Sequence, residues 1–295
     1  MNPDSVSSPA QAPAILGGLG EIAGGYDALL CDVWGVVHDG RSAHGPAVEA
    51  LRRFRAQRGP VILLSNAPRS AEDVEQQFAR LHVPKDCYDS ILTSGMLARD
   101  DIARRSAGRN LPLLYIGPDR DLGIVAGLSV ERVEDVAKAQ IVLCTGLVDD
   151  KSQKPEDYRP VLVELKAREL KFLCANPDIV VRYGERLIFC AGALARLYTE
   201  LGGCSVYFGK PHGAIYVAAL ARLRGVAKRD GLRVLVVGDG LETDIRGANG
   251  AGLDAVFIAD GIHGDDIPEL TPPAIAGLVA RAGVTAKGAM RALVW

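Results

Sequence analysis

Four apolar runs of the sequence end in polar residues that could act on a phosphate group. These residues are the carboxylate Asp32, the pair Ser65–Asn66, the cation Lys210 and the acidic segment Gly238–Asp244. An ionised carboxylate can attack phosphorus as a nucleophile and form an aspartyl-phosphate. A lysine neutralises charge that builds up in the transition state, and further carboxylates supply the oxygen ligands that Mg²⁺ prefers. Together these residue types predict phosphoryl chemistry that depends on a divalent cation.

The same residue types also have a purely structural interpretation. Asp and Ser that follow strands often form turns or begin helices. A single ending of this kind favours that simpler interpretation. Four endings in this chemical combination favour a functional site.

The elements that must position these residues alternate along the chain. The predicted strands are short and lack polar alternation, namely Ala28–Cys31, Val61–Leu64, Leu113–Ile116, Ile141–Cys144, Phe172–Cys174, Val206–Phe208, Val234–Val237 and Ala255–Ile258. Helix-like stretches lie between them, namely Pro46–Arg55, Ala71–Leu81, Pro155–Leu170, Ala214–Leu223 and Thr243–Gly250. This pattern is typical of an α/β fold whose parallel sheet is covered on both faces. Such sheets carry their chemistry at the carboxyl ends of the strands.

Composition excludes several classes of protein. At 295 residues the chain has room for about two domains. Its formal net charge of -2 offers no basic excess for binding nucleic acid, and no run approaches the ~18 apolar residues of a membrane span. The six cysteines include no C-x-x-C pair, so we expect reduced thiols in a cytoplasmic protein without a zinc site. The first 25 residues are expected to form a loose lead-in, including a glycine-rich linker.

The four endings resemble a known set of motifs. Asp32–Val36, Leu64–Asn66, Gly209–Pro211 and Gly238–Asp244 look like the four motifs of the haloacid dehalogenase-like hydrolases, most closely those of the NagD-like branch with its p-nitrophenyl phosphatases. The segment Cys174–Asp178 resembles a conserved cap segment of that branch. Any one motif alone is weak, whereas the set in this order is specific.

The resemblance implies a domain organisation. The fold would be a Rossmann-like, doubly wound parallel sheet at residues 1–106 and 204–295, with an α/β cap of the C2 type inserted at residues 107–203. The cap would set substrate specificity, and members of this branch often form homo-oligomers through it. The expected partner is a small phosphorylated metabolite.

Roles for individual residues also follow from the resemblance. Asp32 would be the nucleophile, and Ser65 and Lys210 would hold the phosphoryl group. Three further residues would face the substrate, namely Asn66 from the core and Asn176 and Asp178 from the cap.

The implied cofactor is Mg²⁺. Its ligands would be the carboxylates of Asp32 and Asp239 and the main-chain carbonyl of Trp34. Asp244 would support the metal from behind or through water.

The sequence departs from the family pattern at Trp34. In phosphatases of this superfamily the residue two after the nucleophile is usually an Asp that acts as general acid and base. An indole cannot exchange a proton at neutral pH, and the loss of a positioned acid or base typically costs about 10²–10⁴ in rate. His38 or Asp39 could replace this Asp, although an exposed turn at Asp39–Gly40 is the simpler interpretation of both.

Three hypotheses therefore stay open. The first is a phosphatase whose proton transfer is relocated or assisted by the substrate, with a preference for good leaving groups. The second is a different reaction on the same core, such as cleavage of a carbon–phosphorus bond. The third is a phosphate-binding or regulatory protein with little or no turnover.

Overall fold

The structure is a computed structural model that describes residues 13–183, 186–264 and 267–295. Its strands are β1 (Ala14–Ile15), β2 (Ala28–Asp32), β3 (Val61–Ser65), β4 (Ser90–Thr93), β5 (Leu111–Ile116), β6 (Val130–Val133), β7 (Ile141–Cys144), β8 (Lys171–Cys174), β9 (Val180–Tyr183), β10 (Arg186–Phe189), β11 (Cys204–Tyr207), β12 (Val234–Gly238), β13 (Asp254–Ile258) and β14 (Gly288–Met290). Its α-helices are α1 (Gly20–Ala23), α2 (Gly45–Gln57), α3 (Ala71–Arg80), α4 (Ser94–Ser106), α5 (Arg159–Ala167), α6 (Ala191–Glu200), α7 (Gly213–Ala227), α8 (Arg246–Gly250) and α9 (Pro272–Ala282).

The larger sheet is parallel throughout and contains three of the four predicted motif endings. Among the described residues its strand order is β1-β14-β13-β12-β2-β3-β4. Strand β2 carries the chain to β3 and β4 on one side and has β12 as its other neighbour. Strands that follow β2 in the chain are therefore added first on one side of it and later on the other. This switch point in strand order is where α/β sheets form their binding crevices.

Burial on both faces explains why these strands show no polar alternation. Leu29 and Cys31 of β2 pack into one hydrophobic cluster with helices α2 and α3, whereas Ala28 and Leu30 pack into another with α7 and α9. A strand that is covered on both faces carries apolar side chains at successive positions. The α/β, doubly wound prediction is confirmed.

A second parallel sheet has the order β11-β8-β7-β5-β6 in the described part of the chain. It is formed by residues inserted between β4 and β12. Strand β11 pairs with β8 from Cys204 to Tyr207, so these four residues belong to the second sheet and not to the core to which we assigned residues from 204 onward. Strand β11 lies at the edge of the second sheet next to β8. The predicted apolar run Val206–Phe208 gave no information about this pairing.

The antiparallel hairpin β9–β10 extends from the second sheet between β8 and α6. Its register places Val181 opposite Ile188 and Arg182 opposite Leu187. The hairpin was not predicted from the sequence, and it lines the same cleft as the motif residues.

Two other expectations concern the first 25 residues and membrane-spanning helices. The lead-in prediction is wrong from residue 14 onward, because β1 pairs with β14 and Leu19 is fully buried beneath the C-terminal segment. The first twelve residues of that lead-in lie outside the described residues. None of the helices in the described ranges combines the length and apolar character needed to cross a lipid bilayer.

Candidate active site

The candidate site lies at the carboxyl ends of three adjacent strands. Asp32 ends β2, Ser65 ends β3 and Asp239 follows β12 directly. Because β12, β2 and β3 are neighbours in register, these side chains reach one crevice of about 1300 Å³ between the two sheets. The crevice is also lined by Asn176 and Asp178, which follow β8 in the second sheet.

Lys210 of this crevice connects two buried carboxylates. Its Nζ donates to Asp32 Oδ1 at 2.5 Å and to Asp244 Oδ1 at 2.7 Å. All three side chains are buried. Burial alone lowers the pKa of Lys210, but the charges of Asp244 and Asp32 outweigh it and raise that pKa. The ammonium group therefore stays charged across the physiological pH range.

Asp239 is held by its main-chain surroundings. Its Oδ2 accepts a hydrogen bond from the Ile262 amide at 2.7 Å. Two glycines make room for the carboxylate, because a Cβ on Gly35 would lie 2.2 Å from Oδ2 and a Cβ on Gly261 would lie 1.9 Å from it. Gly35 also has a φ of +83°, a conformation that glycine adopts without steric cost. Asp239 was predicted from the sequence, whereas the roles of Gly35, Gly261 and the Ile262 amide around its carboxylate were not.

The carboxylates of Asp32, Asp239 and Asp244 form a group that fits a cation. One oxygen from each lies within 4.8 Å of the others, and all three residues are buried. Three ionised carboxylates against one lysine leave an excess of negative charge inside the protein. Buried charges of one sign are strongly unfavourable unless they are paired or bind a metal. An all-oxygen donor set of this kind suits Mg²⁺, so the residues present fit the implied ion.

The pKa shifts of the cluster express the same charge excess. Burial, followed by the charge of Asp244, raises the pKa of Asp239 from 3.8 to about 7. Burial and Asp244 also raise the pKa of Asp32, although Lys210 opposes that shift. A bound cation would favour the ionised forms and reverse both shifts.

Stability of the metal-free protein is predicted to fall as the pH rises from 4 to 7. The raised pKa of Asp239 means that the folded state keeps a proton that the unfolded chain has released. This contribution is complete below pH 3.8 and is lost as the pH passes the folded pKa of about 7. Mg²⁺ must displace that proton at low pH, so the rise in Tm caused by Mg²⁺ should grow between pH 5 and pH 8.

Thermal unfolding with and without MgCl₂ at each pH measures this effect. Asp239→Asn should remove most of the pH dependence of the Mg²⁺-induced shift. Glu242→Gln is the matched control, because this exposed carboxylate of the same segment pairs with Arg246 outside the cluster. An equal Mg²⁺-induced shift at pH 5 and pH 8 would contradict the prediction.

Asn66 links the two sheets at the site. Its Oδ1 accepts from the Lys210 amide at 2.8 Å, while its Nδ2 donates to Asp178 Oδ1 at 2.8 Å and to the Lys210 carbonyl at 3.1 Å. A Cβ on Gly209 would lie 2.3 Å from Asn66 Oδ1, which explains the glycine before the lysine. Ser65 Oγ accepts from the Ala67 amide at 3.1 Å, and a hydroxyl that accepts there retains its own hydrogen to donate.

Asn176 and Asp178 are joined by a local turn at the end of β8. Asn176 Oδ1 accepts from the Asp178 amide at 3.1 Å. Burial raises the pKa of Asp178, whereas Lys210 and the hydrogen bond from Asn66 lower it. These contacts hold both residues at the crevice.

The Trp34 side chain does not point into solvent, nor does it occupy the site as an acid or base. Its Nε1 donates to the Arg182 carbonyl of strand β9 at 2.7 Å. The ring makes an edge contact with His38, with centroids 5.1 Å apart, and a tilted contact with Tyr183 at 6.1 Å. An N–H that is held by a main-chain carbonyl has no proton to exchange with a substrate.

Neither His38 nor Asp39 is arranged as a replacement acid. His38 is 1% exposed, which corrects the exposed-turn interpretation for this residue, and burial lowers its pKa to about 4. Its Nδ1 accepts from the Gly40 amide at 3.0 Å. Asp39 does form the expected turn, since its Oδ1 accepts from the Arg41 and Ser42 amides at 2.8 Å each. Burial raises the pKa of Asp39, but these hydrogen bonds outweigh burial, and the pKa lies below its usual value.

Two contributions to the crevice were missed from the sequence. Arg69 donates from Nε to the buried Asp121 Oδ1 at 2.7 Å, so it links the core to the segment between β5 and β6. Hairpin β9–β10 lines the crevice above Trp34. Two β-branched and aromatic runs around Gly184–Glu185 were a signal for that hairpin.

Comparison with known families gives a consistent result. A family model described as haloacid dehalogenase-like hydrolase matches residues 29–130, and a second, described as HAD-hydrolase-like, matches residues 207–281. A crystal structure of a hydrolase of the haloacid dehalogenase-like family from Brucella suis 1330 is similar with a TM-score of 0.84. The two chains are 43% identical, and the match covers 95% of this chain and 100% of that one.

Characterised relatives are phosphatases by name. The chain is 30% identical to D-glycerol 3-phosphate phosphatase of Mycobacterium tuberculosis over 82% of its own length and 65% of that protein, so it spans about two thirds of that relative. It is 27% identical to ribonucleotide monophosphatase NagD of Escherichia coli K12, over 82% of this chain and 91% of the relative. A glycerol phosphate phosphatase from M. tuberculosis, solved in complex with magnesium, matches with a TM-score of 0.62 and 26% identity over 82% of this chain and 70% of that one.

Proposed function

Since the chain belongs to the haloacid dehalogenase-like hydrolase family, in its NagD-like branch, we propose that it is a Mg²⁺-dependent phosphatase acting on a small phosphorylated metabolite. One observation carries the proposal. The carboxylate of Asp32 ends its strand beside Lys210 and within a buried cluster of two further carboxylates. The phosphatase names of the relatives support the same reaction class.

Asp32 is the proposed nucleophile. One of its carboxylate oxygens attacks the phosphorus, the bond from phosphorus to the ester oxygen breaks, and the electron pair leaves with that oxygen. Water then attacks the aspartyl-phosphate, which releases inorganic phosphate and regenerates the carboxylate. Lys210 stays charged and 2.5 Å from Asp32 Oδ1, where it offsets the negative charge that builds up on the phosphoryl oxygens.

The residues proposed to hold Mg²⁺ are Asp32, Asp239 and Asp244, together with the main-chain carbonyl of Trp34. When bound, the ion supplies positive charge between the two anions that must approach each other. The burial and proximity of the three carboxylates support this assignment, as does the magnesium complex of the mycobacterial relative.

Ser65 and Lys210 are proposed to hold the phosphoryl group, with Asn66, Asn176 and Asp178 facing the substrate. The amide of Asn66 already touches both Lys210 and Asp178. We infer that the second sheet, from β5 to β11, acts as the cap of this site. Assembly through the cap and a cytoplasmic location stay predictions, the latter resting on six free cysteines.

The protein is predicted to prefer substrates whose leaving group departs without a proton. Trp34 occupies the position of the usual acid, and its N–H is committed to Arg182. With Mg²⁺ present, kcat/KM for p-nitrophenyl phosphate should therefore exceed that for a sugar phosphate by about 10² or more. Steady-state kinetics on both esters tests this, and equal values would show that an acid is present after all.

Trp34→Asp provides the second arm of this experiment. A carboxyl group at position 34 should raise turnover of the sugar phosphate more than that of the aryl ester, because only the poor leaving group needs a proton. Asp39→Asn is the control, since this carboxylate accepts bonds within its own turn. The idea fails if Trp34→Asp changes both substrates by the same factor.

A second candidate function is supported by the same residue. Without an acid at position 34, the site could bind phosphate and turn it over slowly, as a phosphate-binding or regulatory protein. Calorimetric binding of inorganic phosphate in the presence of Mg²⁺, with no hydrolysis of any ester, would favour this candidate over the phosphatase.

A further inference from the structure

The core loop at residues 33–41 and hairpin β9–β10 are joined through Trp34. The Trp34 indole donates its N–H to the main-chain carbonyl of Arg182 at 2.7 Å. The core loop begins directly after the nucleophile Asp32, whereas Arg182 lies in the proposed cap, 148 residues further along the chain. This hydrogen bond therefore connects the base of the active site to the strand that lies over it.

Further contacts join the same two segments. The guanidinium carbon of Arg41 lies 5.5 Å from the centre of the Tyr183 ring, within the range of a cation–π interaction. Gly40 fits closely between the two rings, because a Cβ there would lie 2.6 Å from Trp34 and 3.0 Å from Tyr183. Its φ of +87° also favours glycine. Together with the tilted contact between the Trp34 and Tyr183 rings, these contacts connect the core loop with a short hairpin.

The hydrogen bond between the Trp34 N–H and the Arg182 carbonyl has a defined direction. An indole N–H donates and does not accept, and the carbonyl of Arg182 has an orientation set by its strand. The hairpin itself is a two-stranded ribbon, which has marginal stability unless it packs against something. Leu187 on β10 is 59% exposed, so the hairpin depends on its inner side for support. The Trp34 contact supplies that support on the side that faces Asp32.

We propose that Trp34 is a positioning residue that fastens hairpin β9–β10 over the crevice and so encloses the leaving group of the substrate. This inference rests on the proposed function of the crevice. Position 34, which carries the acid in other family members, would here help to close the hairpin over the crevice. The Trp34 N–H bonds to the hairpin and takes no part in the reaction.

Trp34→Phe tests the proposal, because it removes the N–H and keeps an aromatic ring. We expect the KM for p-nitrophenyl phosphate to rise about fivefold with kcat changed by less than about twofold, the effect of one neutral hydrogen bond lost from the closed state. The inhibition constant of inorganic phosphate should not change, since phosphate has no leaving group to enclose. Amide hydrogen exchange in β9 and β10, measured without substrate, should become faster.

Arg41→Gln is a second variant that does not endanger folding, because Arg41 is exposed. Arg41→Gln should raise KM and speed up amide exchange in the hairpin, as Trp34→Phe does, but by a smaller factor. Leu187→Ala is the matched control on the same hairpin, because this side chain is 59% exposed and is not among those that line the crevice. It should leave both measurements unchanged.

The outcomes separate this inference from the proposed phosphatase. Faster hairpin exchange in Trp34→Phe supports the positioning role even if no ester is hydrolysed, in which case the phosphatase proposal fails alone. Unchanged exchange together with an unchanged KM overturns the positioning role while leaving the phosphatase intact. A rise in the inhibition constant of phosphate equal to the rise in KM would also overturn it, because the damage would then lie in the phosphoryl site.

Discussion

Asp32→Asn is expected to reduce turnover by about 10³-fold or more, the scale of removing a covalent nucleophile. The amide cannot attack phosphorus, yet it matches the carboxylate in shape. Because burial and Asp244 raise the pKa of Asp32, removing its charge should cost little stability, and Lys210 keeps its bond to Asp244 at 2.7 Å. The variant should therefore fold normally and be inactive.

The measurement is kcat/KM for p-nitrophenyl phosphate in saturating MgCl₂, with thermal unfolding as the check on folding. Asp39→Asn serves as the control within the same loop, and it should keep most of the activity because its carboxylate caps a turn. Activity of Asp32→Asn within about tenfold of the parent would mean that another group performs the attack.

Among the variants proposed for this protein, Lys210→Met is expected to lower the free energy of unfolding most. The lysine is 2% exposed and bonds to two buried carboxylates, so its removal takes away the positive charge that both carboxylates share. Removing one member of a buried ion pair typically costs 3–5 kcal/mol, and a cost of about that size is expected here. Activity should fall about 10²–10³-fold, because an electrostatic contact to the phosphoryl group is lost.

The pH dependence distinguishes this cause from a simple packing defect. Burial and Asp244 raise the pKa of Asp32, and Lys210 lowers it. Without the lysine Asp32 would take up a proton more readily, so the loss in free energy of unfolding should be smaller at pH 5 than at pH 8. Added Mg²⁺ should recover part of the stability at pH 8. Urea unfolding at both pH values measures this, with the exposed Lys151→Met as control; an equal loss at both pH values would contradict the charge argument.

Much of the core could be predicted from the sequence because its strands are buried on both faces. A continuous apolar run such as Val61–Leu64 has the same meaning wherever it occurs, and the structure extends it by one residue to Ser65. The candidate residues Asp32, Ser65 and Asp239 followed such runs, and parallel strands deliver their ends to one edge. Local pattern and the general rule for α/β sheets were sufficient there.

Elements with mixed polarity were missed. Strand β6 (Val130–Val133) contains Glu131 and Arg132, both exposed, and hairpin β9–β10 is only partly buried. Strand β1 has two residues and exists because β14 offers it a parallel partner. These elements are stabilised by neighbours far away in the chain, so their own residues carry little periodic signal.

The sequence by itself determined the functional groups available to this protein: a carboxylate at the end of a strand, a lysine, several further carboxylates and a tryptophan in place of an acid at position 34. Residue identity is sufficient for such statements, because a side chain's functional groups do not depend on the fold. Only the tertiary structure decided that Lys210 lies between Asp32 and Asp244, that His38 is buried and that the Trp34 indole donates to the Arg182 carbonyl. Those facts depend on contacts between segments that are 34 to 178 residues apart in the chain, which no local pattern specifies.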